Sequence, residues 1–210
     1  MAQLPRAEFW EQRFAATEDY VFGEAPNAFL AAQAGRIKPG ARVLSVADGE
    51  GRNGVFLASL GADVLATEIS PAAIAKARRL AAARGVSLRW ERADVTSWAW
   101  PEAAFDVVAA IFVQFIVPAE RPAFFSHLKR ALKPGGVLLM QGYRPEQRGF
   151  NTGGPPEIDQ LYTEAQLREA FADMEIAELR AHDSVIAEGK AHAGMSALID
   201  LVAIRKPDTP

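Results

Sequence analysis

Cysteine is absent from all 210 residues, which excludes disulfide frameworks, thiolate zinc sites and cysteine nucleophiles together. Histidine is scarce, three in the whole chain, and none stands among clustered carboxylates, so no metal centre is expected. A cationic excess is also missing. The net charge is −3, which argues against a protein whose main task is to grip a phosphate backbone, and no nucleic-acid partner is expected. No apolar run approaches the roughly 18 residues of a membrane span, and the first ten residues show no basic stretch leading into an apolar one. The expectation is a soluble, cytoplasmic chain without a membrane partner.

What remains is an ordinary globular composition, 50% apolar and 23% charged, long enough for one full core. Residues 1–210 are expected to form one domain, with a helical cap over 1–38 on a catalytic core spanning 39–206. Phe9, Trp10, Arg13 and Phe14 lie at helical spacing, and residues 26–34 form a second short amphipathic piece. From residue 41 apolar, β-branched runs alternate with helical periods: strands at 42–47, 63–67, 86–91, 105–112 and 136–142, helices at 52–60, 71–84, 120–132 and 163–172. Alternation of this kind predicts an α/β, Rossmann-like sheet, mostly parallel, with helices on both faces. Two final strand-like runs, 174–181 and 197–204, have no helix between them. They predict a hairpin that makes seven strands and puts one antiparallel strand at the edge.

Ligands of such sheets sit beyond the carboxyl ends of the strands, where strand order reverses. The run Arg42-Val-Leu-Ser-Val-Ala-Asp-Gly-Glu-Gly-Arg-Asn-Gly54 reads there as strand, glycine turn and helix. Glycine lets backbone approach a ligand closely, and the following helix offers free N–H groups. Glu68 ends the second strand, positioned to accept bonds from both hydroxyls of a ribose, and Asp94 follows the third, positioned to meet an adenine amino group. Two acids and a glycine loop make a nucleoside pocket. Without a Gly-Lys-Ser/Thr it is no triphosphate loop, while Gly49, Gly51 and Gly54 still fit a dinucleotide fingerprint, so a nicotinamide-dependent oxidoreductase stays open on spacing alone.

The resemblance is more specific. The first motif Val43–Asn53, Glu68, Asp94, Phe105-Asp-Val-Val108 and Leu132-Lys-Pro-Gly-Gly-Val-Leu-Leu139 resemble a class I S-adenosylmethionine-dependent methyltransferase. The N-terminal aromatic segment and Thr152-Gly-Gly-Pro-Pro156 look like the small-molecule branch related to tellurite-resistance and thiopurine methyltransferases. The resemblance implies S-adenosylmethionine as donor, S-adenosylhomocysteine as product and a small-molecule acceptor. It implies that the methionine end of the cofactor lies near Ala47, Asp48, Gly49, Gly51, Arg52 and Asn53, with Tyr20, the ribose on Glu68, and the adenine near Ile69, Asp94, Val95 and Ile111. In two places the chain departs from the family pattern. Ser45 replaces the usual acid of the first strand and Ala47 the usual first glycine, with Asp48 placed to restore the charge, so a cofactor-binding module without transfer activity is the third reading.

Methyl transfer from a sulfonium is an in-line displacement, for which positioning in a dry pocket is the main requirement. Gln114, Tyr143 and His182 are the acceptor-side candidates from the strand ends and the hairpin, with Gln141 and His192 beside them, and His127 is expected on a helix surface. Lys76, Arg78, Arg79 and Arg84 are expected on the solvated side of their helix. Tyr20 and Phe22 are assigned to the pocket, whereas Phe9, Trp10 and Phe14 are expected to pack the cap. The glycine- and proline-rich stretch 143–159 is expected to act as a lid. A monomer or a homodimer suits such an edge hairpin equally.

Overall fold

The computed structural model describes residues 4–189 and 192–207. Seven strands form one sheet in the order β3-β2-β1-β4-β5-β7-β6. They are β1 (Arg42–Ser45), β2 (Asp63–Glu68), β3 (Arg89–Arg92), β4 (Phe105–Ile111), β5 (Leu132–Tyr143), β6 (Glu175–Ala187) and β7 (Ala193–Ile204). β1 to β5 pair in parallel, and β7 runs antiparallel to both β5 and β6. The expected terminal hairpin is therefore present. Its reversed strand, β7, is inserted one place in from the margin, and β6, parallel to the main set, forms the edge.

Both faces of the central strands are buried, which is why they read as unbroken apolar runs rather than alternating ones. In β1, Leu44 packs with Phe124, Phe125, Leu128 and Leu167, whereas its neighbour Val43 joins Phe29, Leu30 and Leu57 on the opposite face. The helices supplying those layers are α2 (Ala28–Ala32) and α3 (Arg52–Ser59) on one side and α5 (Arg121–Ala131) and α6 (Glu164–Ala170) on the other. α4 (Pro71–Ala83) begins as its sequence dictates: Pro71 occupies the first turn and the Ser70 hydroxyl accepts from the Ala73 N–H. A capping box, Thr163 with Gln166, starts α6.

β1 stops two residues short of the expected Ala47 because Ala47 turns into the left-handed region, with φ 50°. Strand order reverses between β1 and β4, so a crevice opens beyond their carboxyl ends. α1 (Arg6–Ala15) lies over that crevice. Arg6 reaches Asp94 at 3.3 Å and Glu120 at 2.5 Å, while Glu11 accepts from the Ser70 hydroxyl and the Ala72 N–H at the start of α4. The cap is thus fixed at both ends by polar contacts that the apolar pattern of the sequence does not reveal.

Candidate active site

The glycine loop is tied to the end of β2 from below. Asp48 N–H donates to the Thr67 carbonyl, Ala47 N–H to the Thr67 hydroxyl and Gly49 N–H to Glu68 Oε2 at 2.9 Å. Glu68 Oε1 accepts from the N–H groups of Ile69 and Ser70. Burial raises the Glu68 carboxyl above its usual range even though these three N–H groups favour its charge.

The three glycines have different tasks. A Cβ on Gly49 would meet only the Phe14 ring at 3.6 Å, so this glycine faces the crevice. On Gly51, with φ 92°, it would strike Ala77 at 2.6 Å, which makes Gly51 a packing glycine between α3 and α4 rather than part of the cavity wall. On Gly54 it would strike Asp48 Oδ2 at 2.4 Å.

Asp48 occupies the space created by Ser45. It accepts the Ser45 hydroxyl at 2.6 Å and the Gly54 N–H at 2.8 Å on Oδ1, while Oδ2 has no partner. Burial, opposed by these two bonds, pushes its carboxyl up to about 7. The carboxyl expected to replace the missing acid of the first strand is present, held in a dry position. Since the unfolded carboxyl titrates near 4, the protonated form favours the fold, and the stability this contributes is full below about pH 4 and lost as the pH rises through 7. Asp48→Asn keeps the Oδ1 acceptor and removes the ionisation. The variant is expected to match the wild type at about pH 4 in urea unfolding and to exceed it at about pH 8 by a margin on the order of a few kcal/mol. An equal difference at both pH values would sink this account.

Arg52, at the first turn of α3, is buried and pairs with Glu188 at 2.6 Å, leaving its second guanidinium nitrogen without a partner. Glu188 also accepts from Asn27 Nδ2 and the Ala28 N–H. Asn27 Nδ2 donates to Gln141 Oε1, and Gln141 Nε2 donates to Asp200. Asp200 is fully buried and takes Arg180 and His182 on its other oxygen. His182 is consequently held at the far end of this chain, bonded to Asp200 and Ser184 and lining neither cavity, so the acceptor-side place foreseen for it is corrected. Gln114 is also committed: it accepts the Tyr143 N–H and donates to the carbonyls of Tyr143 and Gln160, clamping β5 to the segment after it. Tyr143 stacks on Phe112 at 4.7 Å, its buried hydroxyl unpaired, and burial pushes its hydroxyl pKa up.

Two cavities meet over the strand ends. The inner one is lined by Ala47, Asp48, Gly49, Arg52, Asn53, Glu68, Ile69, Asp94, Val95 and Ile111. Ten residues foreseen for the cofactor therefore converge on one chamber. Asp94 is bound by Thr96 and Arg6, and against partial burial these bonds hold its carboxyl below the ordinary range. The outer cavity is lined by Gln114, Tyr143, Leu4, Phe9, Arg13 and the segment Gly153–Glu157, where the lid was expected. Arg6, Trp10, Phe22, Phe112, Phe115 and His192 line both and form the wall between them. Trp10 and Phe14, expected only to pack, thus have cavity faces.

Tyr20 is the other residue moved from its expected place. Its hydroxyl donates to the Lys76 carbonyl on α4, outside both cavities. Lys76, expected in solvent, is buried against Glu50 at 2.8 Å and donates to the Asp19 carbonyl, because the cap loop covers that side of α4. Sequence reading missed Glu50, Asn27 as a network member, Glu188 and Phe112. The Pro-Asn-Ala cap signature marks Asn27 as a helix start, whereas nothing local marks Glu188, whose partners lie up to 161 positions away.

Comparison with known proteins agrees with this geometry. Residues 43–136 match the methyltransferase-domain family. A demethylmenaquinone methyltransferase of Thermus thermophilus is 34% identical over 110 residues, 51% of this chain and 50% of that protein. The chain spans half or less of the length of the first curated relatives it matches. Among solved structures, one from work on the conversion of a disulfide bond into a thioacetal group during echinomycin biosynthesis superposes with TM-score 0.77 at 21% identity, covering 98% of this chain and 94% of the other. TehB from Haemophilus influenzae superposes with TM-score 0.72 at 18% identity, covering 94% and 67%. The family match and the site bear on the same stretch: residues 43–136, which hold the glycine loop, Glu68 and Asp94, match a methyltransferase domain.

Proposed function

We propose that the protein binds S-adenosylmethionine in the inner chamber and methylates a small molecule held in the outer one. The observation that carries this reading is the pair of cavities joined through one aromatic wall, the nucleoside-type acids lining the inner cavity alone. The residues fit the cofactor. Glu68 Oε2, which accepts only the Gly49 N–H, has a lone pair left for a ribose hydroxyl, Asp94 suits an adenine amino group, the unpaired Arg52 nitrogen suits the methionine carboxylate and the unpaired Asp48 oxygen its ammonium. Ile69, Val95 and Ile111 supply apolar contact for the adenine. When bound, the cofactor supplies an electrophilic methyl group. The protein's share is alignment and exclusion of water by the cap and the 153–157 segment.

The methyltransferase-domain match favours this over the dinucleotide reading. Among the described residues no helix is long and apolar enough to cross a membrane, and we place the enzyme in the cytoplasm, as a monomer or homodimer. Titration calorimetry on cofactor-free protein is expected to show micromolar binding of S-adenosylmethionine and S-adenosylhomocysteine and no response to NADH or NADPH. Dinucleotide binding, or silence from the sulfur ligands, would overturn the proposal.

A further inference from the structure

His192 stands where the inner and outer cavities meet, and it is brought there by the tip of the β6–β7 hairpin. Gly23 and Gly189, both at positive φ, bring the cap loop and the hairpin tip together backbone against backbone; a Cβ on Gly189 would come within 2.4 Å of Gly23 N and of the Phe22 carbonyl carbon. Glu188 fixes the same tip to Asn27, Ala28 and Arg52. The Glu188 N–H donates to the His192 carbonyl at 2.7 Å, closing the turn. The imidazole then lies among aromatic rings, 4.6 Å from Phe22, 4.6 Å from Phe112 and 5.7 Å from Tyr143. Its ring nitrogens have no hydrogen-bond partner among the described residues, and Nδ1 is buried. Phe112 turns to φ 54°, a conformation that a bulky residue adopts only when its surroundings fix it.

An unbonded imidazole in an otherwise aromatic wall is costly unless something donates to it. The rest of the outer wall sets the kind of molecule. Trp10, Phe22, Phe112, Phe115 and Tyr143 make flat apolar faces, suited to a planar ring. Resting on the methyl-transfer reading above, we propose that the acceptor is a planar, largely apolar molecule bearing a hydroxyl, and that a ring nitrogen of His192 accepts this hydroxyl's hydrogen bond and then its proton.

The groups facing His192 are Arg13 from α1, Arg52 from α3, Tyr143 from β5 and Glu188 from its own turn. Burial, reinforced by the two guanidinium groups, lowers its pKa to about 3. The ring is accordingly neutral, an acceptor, at every physiological pH. So weak a base suffices because a hydroxyl oxygen that gains a third bonding partner becomes a far stronger acid than an imidazolium. The balance is complete: the acceptor oxygen forms a bond to the methyl carbon as the carbon–sulfur bond breaks with its electron pair on sulfur, and the hydroxyl proton passes to His192 and on to solvent as product leaves.

The test uses protein loaded with S-adenosylhomocysteine and two probes of equal shape, 2-naphthol and 2-methoxynaphthalene, only the first of which can donate. Wild-type protein is expected to bind 2-naphthol about tenfold more tightly, and this preference is expected to vanish in His192→Phe and to survive in part in His192→Asn. In wild-type protein, 2-naphthol and not its ether is expected to shift the His192 ring nitrogen resonances, a reading that needs no variant. Equal affinity for the two probes, binding of neither, or an unchanged preference in His192→Phe would overturn the assignment. Failure of the methyl-transfer reading is separately visible, as failure of the protein to take up S-adenosylhomocysteine.

Discussion

Glu68→Ala is expected to lower affinity for S-adenosylmethionine by roughly 10- to 100-fold, because a ribose hydroxyl bond to a buried charged acceptor is worth roughly 1.5–3 kcal/mol. The same substitution also touches the fold. Glu68 accepts the N–H groups of Gly49, Ile69 and Ser70, so the variant leaves three backbone donors to be satisfied by water and is expected to lose roughly 2–4 kcal/mol in unfolding free energy, part of it offset by removal of a desolvated carboxyl. The two effects are separable with paired ligands. The wild type is expected to bind adenosine well above 2′-deoxyadenosine, whereas the folded variant treats them alike. A variant that still discriminates between the two would place the ribose elsewhere. Glu68→Gln, which keeps one oxygen and loses the charge, is expected to fall between the wild type and Glu68→Ala.

This double role of Glu68 shows where sequence reading reached and where it stopped. The βα order, the glycine turn and the acids at strand ends are local signals, because each depends on residues a few positions apart, and the sheet of β1 to β5 forms where the apolar runs stand. The cofactor side converged for the same reason: strand termini in a parallel sheet are neighbours whatever lies between them. Gly51 was misjudged because a glycine needed for helix packing against Ala77 and one needed for ligand approach look the same in sequence. His182 and His192 were equally poised in the sequence, ten positions apart on one hairpin. What separates them is which one the turn delivers to the cavity wall, and that is decided by Gly23 meeting Gly189 and by Glu188 meeting Arg52, pairs that span most of the chain. Lys76 went the same way, placed in solvent by helical periodicity and buried by a cap loop the periodicity does not contain.

Glu188→Gln is expected to be among the most destabilising single substitutions in the protein, costing roughly 3–5 kcal/mol. Both members of the Arg52–Glu188 pair are about 7% exposed, so neither charge has water to fall back on. The glutamine keeps an acceptor for Asn27 and the Ala28 N–H, and what it removes is the counter-charge of Arg52. A double-mutant cycle with Arg52→Met isolates that term: if the cost is an uncompensated buried cation, the double variant recovers much of the loss, with a coupling of about 2 kcal/mol or more. Simple addition of the two single effects would show that the pair carries no mutual energy. The cofactor offers a second reading. A methionine carboxylate at the unpaired Arg52 nitrogen supplies the negative charge that Glu188→Gln has removed, so a saturating concentration of S-adenosylmethionine is expected to raise the melting temperature of the variant by more than it raises that of the wild type. An equal or smaller rise would place the carboxylate away from Arg52 and leave Glu188 with a purely architectural task, holding the hairpin tip to the cap.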